Sequence, residues 1–141
     1  MKFLLAVDGS NCSIRAAEYL AAHLDLFKTQ PELHLVNVHA PVASARVRSY
    51  VGKEALDKYY AEESEDALKP ACAVMDAKGL KYQTSRLVGE VAVEVNRKAA
   101  ELGCTMIVMG THGHGNLGNL VMGSVATKVL AESKIPVLLI K

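Results

Sequence analysis

Five short apolar runs alternate with longer stretches of helical periodicity, and this alternation restricts the possible folds more than any other feature of the chain. Phe3–Val7, Leu33–Val38, Tyr82–Val88, Met106–Met109 and Val137–Ile140 are the strand candidates. The first, fourth and fifth are almost continuously apolar, as strands covered on both faces are. The third, KYQTSRLV over residues 81–88, is more polar and suits a sheet edge. Strand and helix in strict alternation predict an α/β fold: an open parallel sheet with helices on both faces and right-handed crossovers. With 141 residues the expected organisation is one domain over 1–141. A chain of that size buries roughly two-thirds of its unfolded surface, enough for a core without disulfides or metal.

The helical stretches carry their own punctuation. Ile14, Ala17, Leu20, Ala21 and Leu24 recur at helical spacing behind Ser10, a plausible N-cap. A long helical stretch from about Lys53 to Lys78 stops at Gly79, and Pro70 within it is expected to kink or divide it. Val91, Val95, Ala99 and Leu102 line a third helix that stops at Gly103, and Val125, Val129 and Leu130 belong to a fourth. Ala40 to Gly52 reads as a loop over the sheet with Arg46 and Arg48 solvated.

Composition narrows the function classes. The net charge of +1, with no run of like charges, gives no support to nucleic-acid or membrane-surface binding. No run approaches the ~18 apolar residues of a membrane span. The N-terminal apolar run meets Asp8 and Gly9 too soon for a signal peptide, so a cytoplasmic location is expected. Cys12, Cys72 and Cys104 are odd in number and widely spaced, so no disulfide framework follows; Cys12 and Cys104 read as small core residues.

The chemistry concentrates after the fourth strand. Residues 109–124 read MGTHGHGNLGNLVMGS, between a buried strand and a helix. Glycines let the backbone approach a ligand and adopt positive φ. A helix start adds free N–H groups and the positive end of the macrodipole, so the segment is an anion cradle. Gly115 and Gly118 alone would fit simple turns. The sequence lacks G-x4-G-K-[ST], so this is not a P-loop, and it is not a G-x-G-x-x-G motif on the first strand either. Lys128, one turn past Ser124, reads as a solvated lysine.

Asp8 closes the first strand and faces the same crevice as Gly110 if strands one and four are neighbours. There it can accept from ribose hydroxyls, hold a divalent cation that bridges phosphates, or cap the first helix. His112 and His114 lack a third ligand of His or Cys type at usable spacing, so their reading is as imidazoles flanking phosphates. His34 and His39 fall on alternate positions of strand two and read as core or rim residues. Ser10, Ser13 and Ser124 read as caps, and neither a Ser/His/Asp nor a Cys/His arrangement is evident, so no catalytic residue is assigned.

Three segments together resemble the universal stress protein family: Leu5–Ser10; Val88-Gly89-Glu90 with Ala92; and Ile107–Gly113 with Gly123-Ser124-Val125. The spacing G-x2-G-x9-G-[ST], on Gly110, Gly113, Gly123 and Ser124, is the specific element. The resemblance implies a five-stranded, Rossmann-like sheet in the order 3-2-1-4-5, and ATP binding in members that keep the glycine spacing. It would place Ala6, Val7 and Asp8 beside adenine and ribose, the Val38 backbone at the adenine edge and Met109 on the nucleoside. Gly110, His112, Gly113, Gly123, Ser124 and Val125 would surround the phosphates, with Asp8 toward a Mg or Mn ion. It also implies a homodimer through Val137–Ile140. Ala40 to Gly52 matches no fixed pattern of the family. Two functions follow as expectations: a nucleotide-responsive regulatory module read by another protein, or a slow ATPase. A structural member with an empty pocket is a third.

Overall fold

In the computed structural model, which describes residues 1–115 and 121–141, all five strands form one parallel sheet. They are β1 (Lys2–Ala6), β2 (Glu32–His39), β3 (Tyr82–Val88), β4 (Met106–Gly110) and β5 (Val137–Ile140), in the order β3-β2-β1-β4-β5. The α/β fold expected from the alternation is present, and so is the 3-2-1-4-5 order that the family resemblance implied. Leu5 stands between Leu35 and Val108 in register, so the apolar runs stack across the sheet centre. The polar β3 is an edge, as its composition required.

Among the described residues four helices cover the two faces, α1 (Asn11–Ala22), α3 (Lys53–Ala77), α4 (Val91–Glu101) and α5 (Ser124–Glu132), while the short α2 (Ala45–Val51) lies against α3. Strand alternation assigns the core to two layers. Phe3, Leu5, Leu33, Leu35 and Val108 pack against Ala16, Ala17 and Leu20 of α1 and Leu68, Ala71 and Met75 of α3. Leu4, Val36, Val38 and Ile107 face Ala92, Val95 and Ala99 of α4 and Ala126 and Val129 of α5.

Several expectations need correction. Residues 45–51 form a helix rather than a loop; every one of them is exposed, including Arg46 and Arg48. Ser44 starts it by accepting from the Val47 N–H, and Gly52 ends it at φ 82, ψ 155, a conformation open to glycine and strained for other residues. Pro70 does not divide α3. Its ring removes only the bond to the Asp66 carbonyl, and Asp66 is exposed so water can take that place. The flanking Leu68, Ala71 and Met75 are held in the core. In α5 the inward residues are Ala126 and Val129, whereas Val125 and Leu130 are exposed. Cys104 is buried, but Cys12 is only half-buried. Ser10 does cap α1, accepting from the Ser13 N–H at 3.3 Å, and Ser13 returns its hydroxyl to the Ser10 carbonyl at 2.9 Å. No helix among the described residues is long and apolar enough to cross a membrane.

Candidate functional site

The order reverses at β1: its chain continues to β2 on one side, while β4 lies on the other. Crevices open beyond the carboxyl ends of strands at such points. Here the crevice is a cleft of about 330 Å³. Ala6, Val7 and Asp8 enter it from the end of β1, Val38 from β2, and Met109 and Gly110 from β4. His112 and Gly113 line it from the following turn, and Gly123, Ser124 and Val125 from the start of α5. The eleven residues singled out in the sequence thus share one cavity. Gly118, the other loop glycine considered, lies outside the described residues.

The glycines serve close approach rather than unusual backbone. None of the described glycines in this loop has positive φ, contrary to expectation. A Cβ on Gly110 would lie 2.7 Å from Cys12 Cβ, so its absence lets α1 pack on the end of β4. A Cβ on Gly113 would lie 2.8 Å from Asp8 Oδ2, so its absence leaves room for the carboxylate. At Gly123 the limit is the Thr111 carbonyl, 3.2 Å away. The loop is tied down at several points. Thr111 N–H donates to Ile140 O at 2.9 Å and Gly123 N–H to Thr111 O at 2.7 Å. His114 Nε2 donates to the Asp8 carbonyl at 2.6 Å, which joins the β4 turn to the β1 turn.

Asp8 lies two residues past the end of β1 and is exposed. Its Oδ1 accepts the Ser10 N–H at 2.9 Å, which fixes the turn before α1, whose cap is Ser10 rather than Asp8. It is the only charged side chain lining the cleft among the described residues. Lys128 is exposed and engaged outside the cleft, its Nζ 2.9 Å from Glu90 Oε1. Positive potential comes instead from α5. Its N-cap is Gly123, which has no side chain to accept from the first-turn N–H groups. Ser124 is the first helical residue and not the cap, a correction to its expected role. Those N–H groups are left for a ligand to accept.

The two histidines do not converge as a metal pair. His112 Nδ1 lies 3.0 Å from its neighbour Thr111 Oγ1, while His114 reaches back to Asp8. Among the described residues no cluster of three His, Cys, Asp or Glu side chains is placed to hold a metal by itself. His34 is buried against Ser85 Oγ at 2.8 Å, and His39 meets Tyr59 edge-on and Tyr60 at a tilt at the rim of the sheet.

His114, read with His112 as flanking phosphates, and Gly115, read as a turn glycine, also line the cleft. The sequence reading missed the rest of the lining: Val36, Val91, Val95 and Ala126 form the apolar interior, and Ser13 and Thr111 add hydroxyls. Val36 was available from strand alternation, two positions before Val38. The helix residues look like ordinary core positions until the packing is known.

Comparison with known proteins agrees with this architecture. The model of the universal stress protein family matches residues 1–141. The universal stress protein YxiE of Bacillus subtilis is 33% identical, over 99% of this chain and 98% of its own. The solved structure of MJ0577 of Methanocaldococcus jannaschii superposes with a TM-score of 0.81 at 25% identity, covering 99% of this chain and 94% of that one. Two nucleotide complexes share the fold. A universal stress protein of Archaeoglobus fulgidus with dAMP has a TM-score of 0.67 at 24% identity, covering 100% and 98% of the two chains. Another with cAMP has a TM-score of 0.72 at 20% identity, covering 100% and 97%. The chain belongs to the universal stress protein family.

Proposed function

We propose that the cleft binds ATP together with a divalent cation, Mg or Mn, and that the protein is a nucleotide-responsive regulatory module in a stress response. The observation that carries this reading is the meeting of four separate segments at the uncapped start of α5. The interior, walled by Val36, Val38, Val95 and Met109, suits a flat apolar ring. The mouth, with Asp8, Ser124 and the loop backbone, suits ribose and phosphates. The dAMP and cAMP complexes of relatives support an adenine nucleotide.

The cation follows from charge. No lysine or arginine lines the cleft among the described residues, so α5 and backbone N–H groups alone face a polyanion. A lone carboxylate suits a cation that arrives with the phosphates and keeps most of its waters, as Mg does, rather than a resident metal. Asp8 Oδ2 is the free oxygen for that purpose.

We read the nucleotide as a ligand rather than a substrate, so that any ATPase activity is slow. Bound phosphates without a placed base or a cationic group on the transferring phosphoryl leave most of the barrier in place. The functional unit proposed is a cytoplasmic homodimer. β5 is an edge strand whose four residues, Val137 to Ile140, are all half-buried, and it is free to pair with a second copy. The module's state would then be read by another protein.

Mass spectrometry of the purified protein released from its ligand tests the reading. ATP, one per chain, is the expected species. Recovery of a guanine nucleotide or a non-nucleotide in its place overturns it.

A further inference from the structure

A second cavity, of about 550 Å³, lies at the opposite, amino-terminal edge of the sheet. Lys2 opens β1 on one wall, Lys81 precedes β3 on another, and Gln30, Glu32 and Gln83 complete the polar rim. His34 forms part of the floor and is 6% exposed.

The charges of this pocket do not balance. Lys2 pairs with Glu32, Nζ to Oε2 at 3.4 Å, but Glu32 is the only carboxylate lining the cavity among the described residues. Lys81 is exposed and makes no ion pair among the described residues. Lys98 of α4 adds its charge near His34, although Glu101 holds its ammonium at 2.7 Å. Tyr82 contributes no free donor, because its hydroxyl donates to Asp76 Oδ1 at 2.9 Å on the α3 side. His34 is committed to Ser85 through Nε2, and burial together with Lys98 and Lys2 holds its pKa below the ordinary value. Around pH 7 it is thus a neutral part of the floor. Glutamine amides at the rim can donate hydrogen bonds to an oxyanion.

We propose that this pocket binds a small oxyanion, a phosphate or carboxylate group, between the ammonium groups of Lys2 and Lys81. The chemistry fits an anion better than a cation, since two lysines face one glutamate. It fits an anion better than an apolar ligand, since a polar rim surrounds the mouth. Glu32 competes for Lys2, and both lysines are partly solvated, which sets the affinity on the order of millimolar. The site is independent of the nucleotide cleft, which lies past the other ends of the same strands.

The imidazole of His34 is a local reporter. Its NMR resonances are followed while sodium phosphate replaces sodium chloride at constant ionic strength, and again with succinate. The expected result is a saturable shift together with a rise in the His34 pKa, because a bound anion adds negative charge beside the imidazole and offsets the effect of Lys2. Lys81→Gln should weaken the response at least fivefold, and Lys134→Gln, outside the lining of the pocket, should leave it unchanged. Saturation by phosphate alone assigns the pocket to a phosphorylated ligand, and saturation by succinate alone to a carboxylate. A linear drift with both anions, or an equal response in Lys81→Gln, overturns the proposal.

Discussion

Asn37 Nδ2 donates to the carbonyl oxygen of Val7 at 2.8 Å, one step past the last paired residues of β1 and β2, Ala6 and Val36. The side chain thereby lengthens the sheet by a rung and holds the residue before Asp8. It does so at some cost, because Asn37 is buried and its Oδ1 has no partner among the described residues. An unpaired buried acceptor costs about 1–3 kcal/mol, and a typical hydrogen bond returns about 1 kcal/mol. Asn37→Leu is therefore expected to change unfolding free energy by less than about 1 kcal/mol, and to weaken ATP binding severalfold by freeing the Val7–Asp8 turn. Urea denaturation and calorimetric titration of the same variant separate the two effects.

Gly110 and Gly113 answer different demands, and alanine at each distinguishes them. At Gly110 the new methyl meets the Cβ of Cys12 and its backbone carbon at 2.8 Å, groups that cannot swing away. Overpacking of that kind costs typically about 1–3 kcal/mol. At Gly113 the contact is the end of the exposed Asp8 side chain, which can rotate. Gly110→Ala should lower the midpoint of thermal unfolding by several degrees. Gly113→Ala should leave it nearly unchanged and lower nucleotide affinity.

Acid stability should depend on His34. Burial is the main cause of its lowered pKa, and the charges of Lys98 and Lys2 add to it. The unfolded chain then binds a proton that the folded chain resists, so stability rises with pH through that interval. The contribution is complete above 6.5, the ordinary histidine value, and is lost as pH falls from there through the folded value. Denaturation midpoints between pH 7.5 and 5 should decline less steeply for His34→Gln than for the wild type.

The exposed edge of β5 predicts self-association. Leu139 sits in register with Met109 and is half-buried without a strand beyond it. Leu139→Lys should convert the dimer to monomer and leave ATP affinity within about twofold. Sedimentation equilibrium at micromolar concentration decides it, and a monomeric wild type would contradict the proposed dimer.

The strands were legible because most of them are apolar runs between helical stretches, and even the polar β3 kept its place in the alternation. The strand order that sets Leu5 between Leu35 and Val108 was implied by the family resemblance and not by the runs themselves. Helix α2 was not legible because none of Ala45–Val51 is buried, so no apolar stripe marks it. Pro70 misled for the opposite reason. Packing on both sides of it outweighs one lost bond at an exposed carbonyl. In the site, Asp8 and the loop glycines were legible as residues at strand-to-helix turns, whereas Ala6, Val7, Val38 and Met109 were implied by the family resemblance. Val91, Val95 and Ala126 were not, because an aliphatic residue on a helix looks the same whether it meets a neighbouring side chain or a cavity.

Titration calorimetry with ATP and Mg, on wild type and Gly113→Val, tests the central claim most directly. A valine there carries its branched Cβ into the space of Asp8 Oδ2, 2.8 Å away, so it displaces the carboxylate and blocks the loop. The account predicts one ATP per wild-type chain, weakened when Mg is chelated, and at least a tenfold loss in Gly113→Val. Equal affinity for the two proteins, or no saturable binding by the wild type, would contradict it.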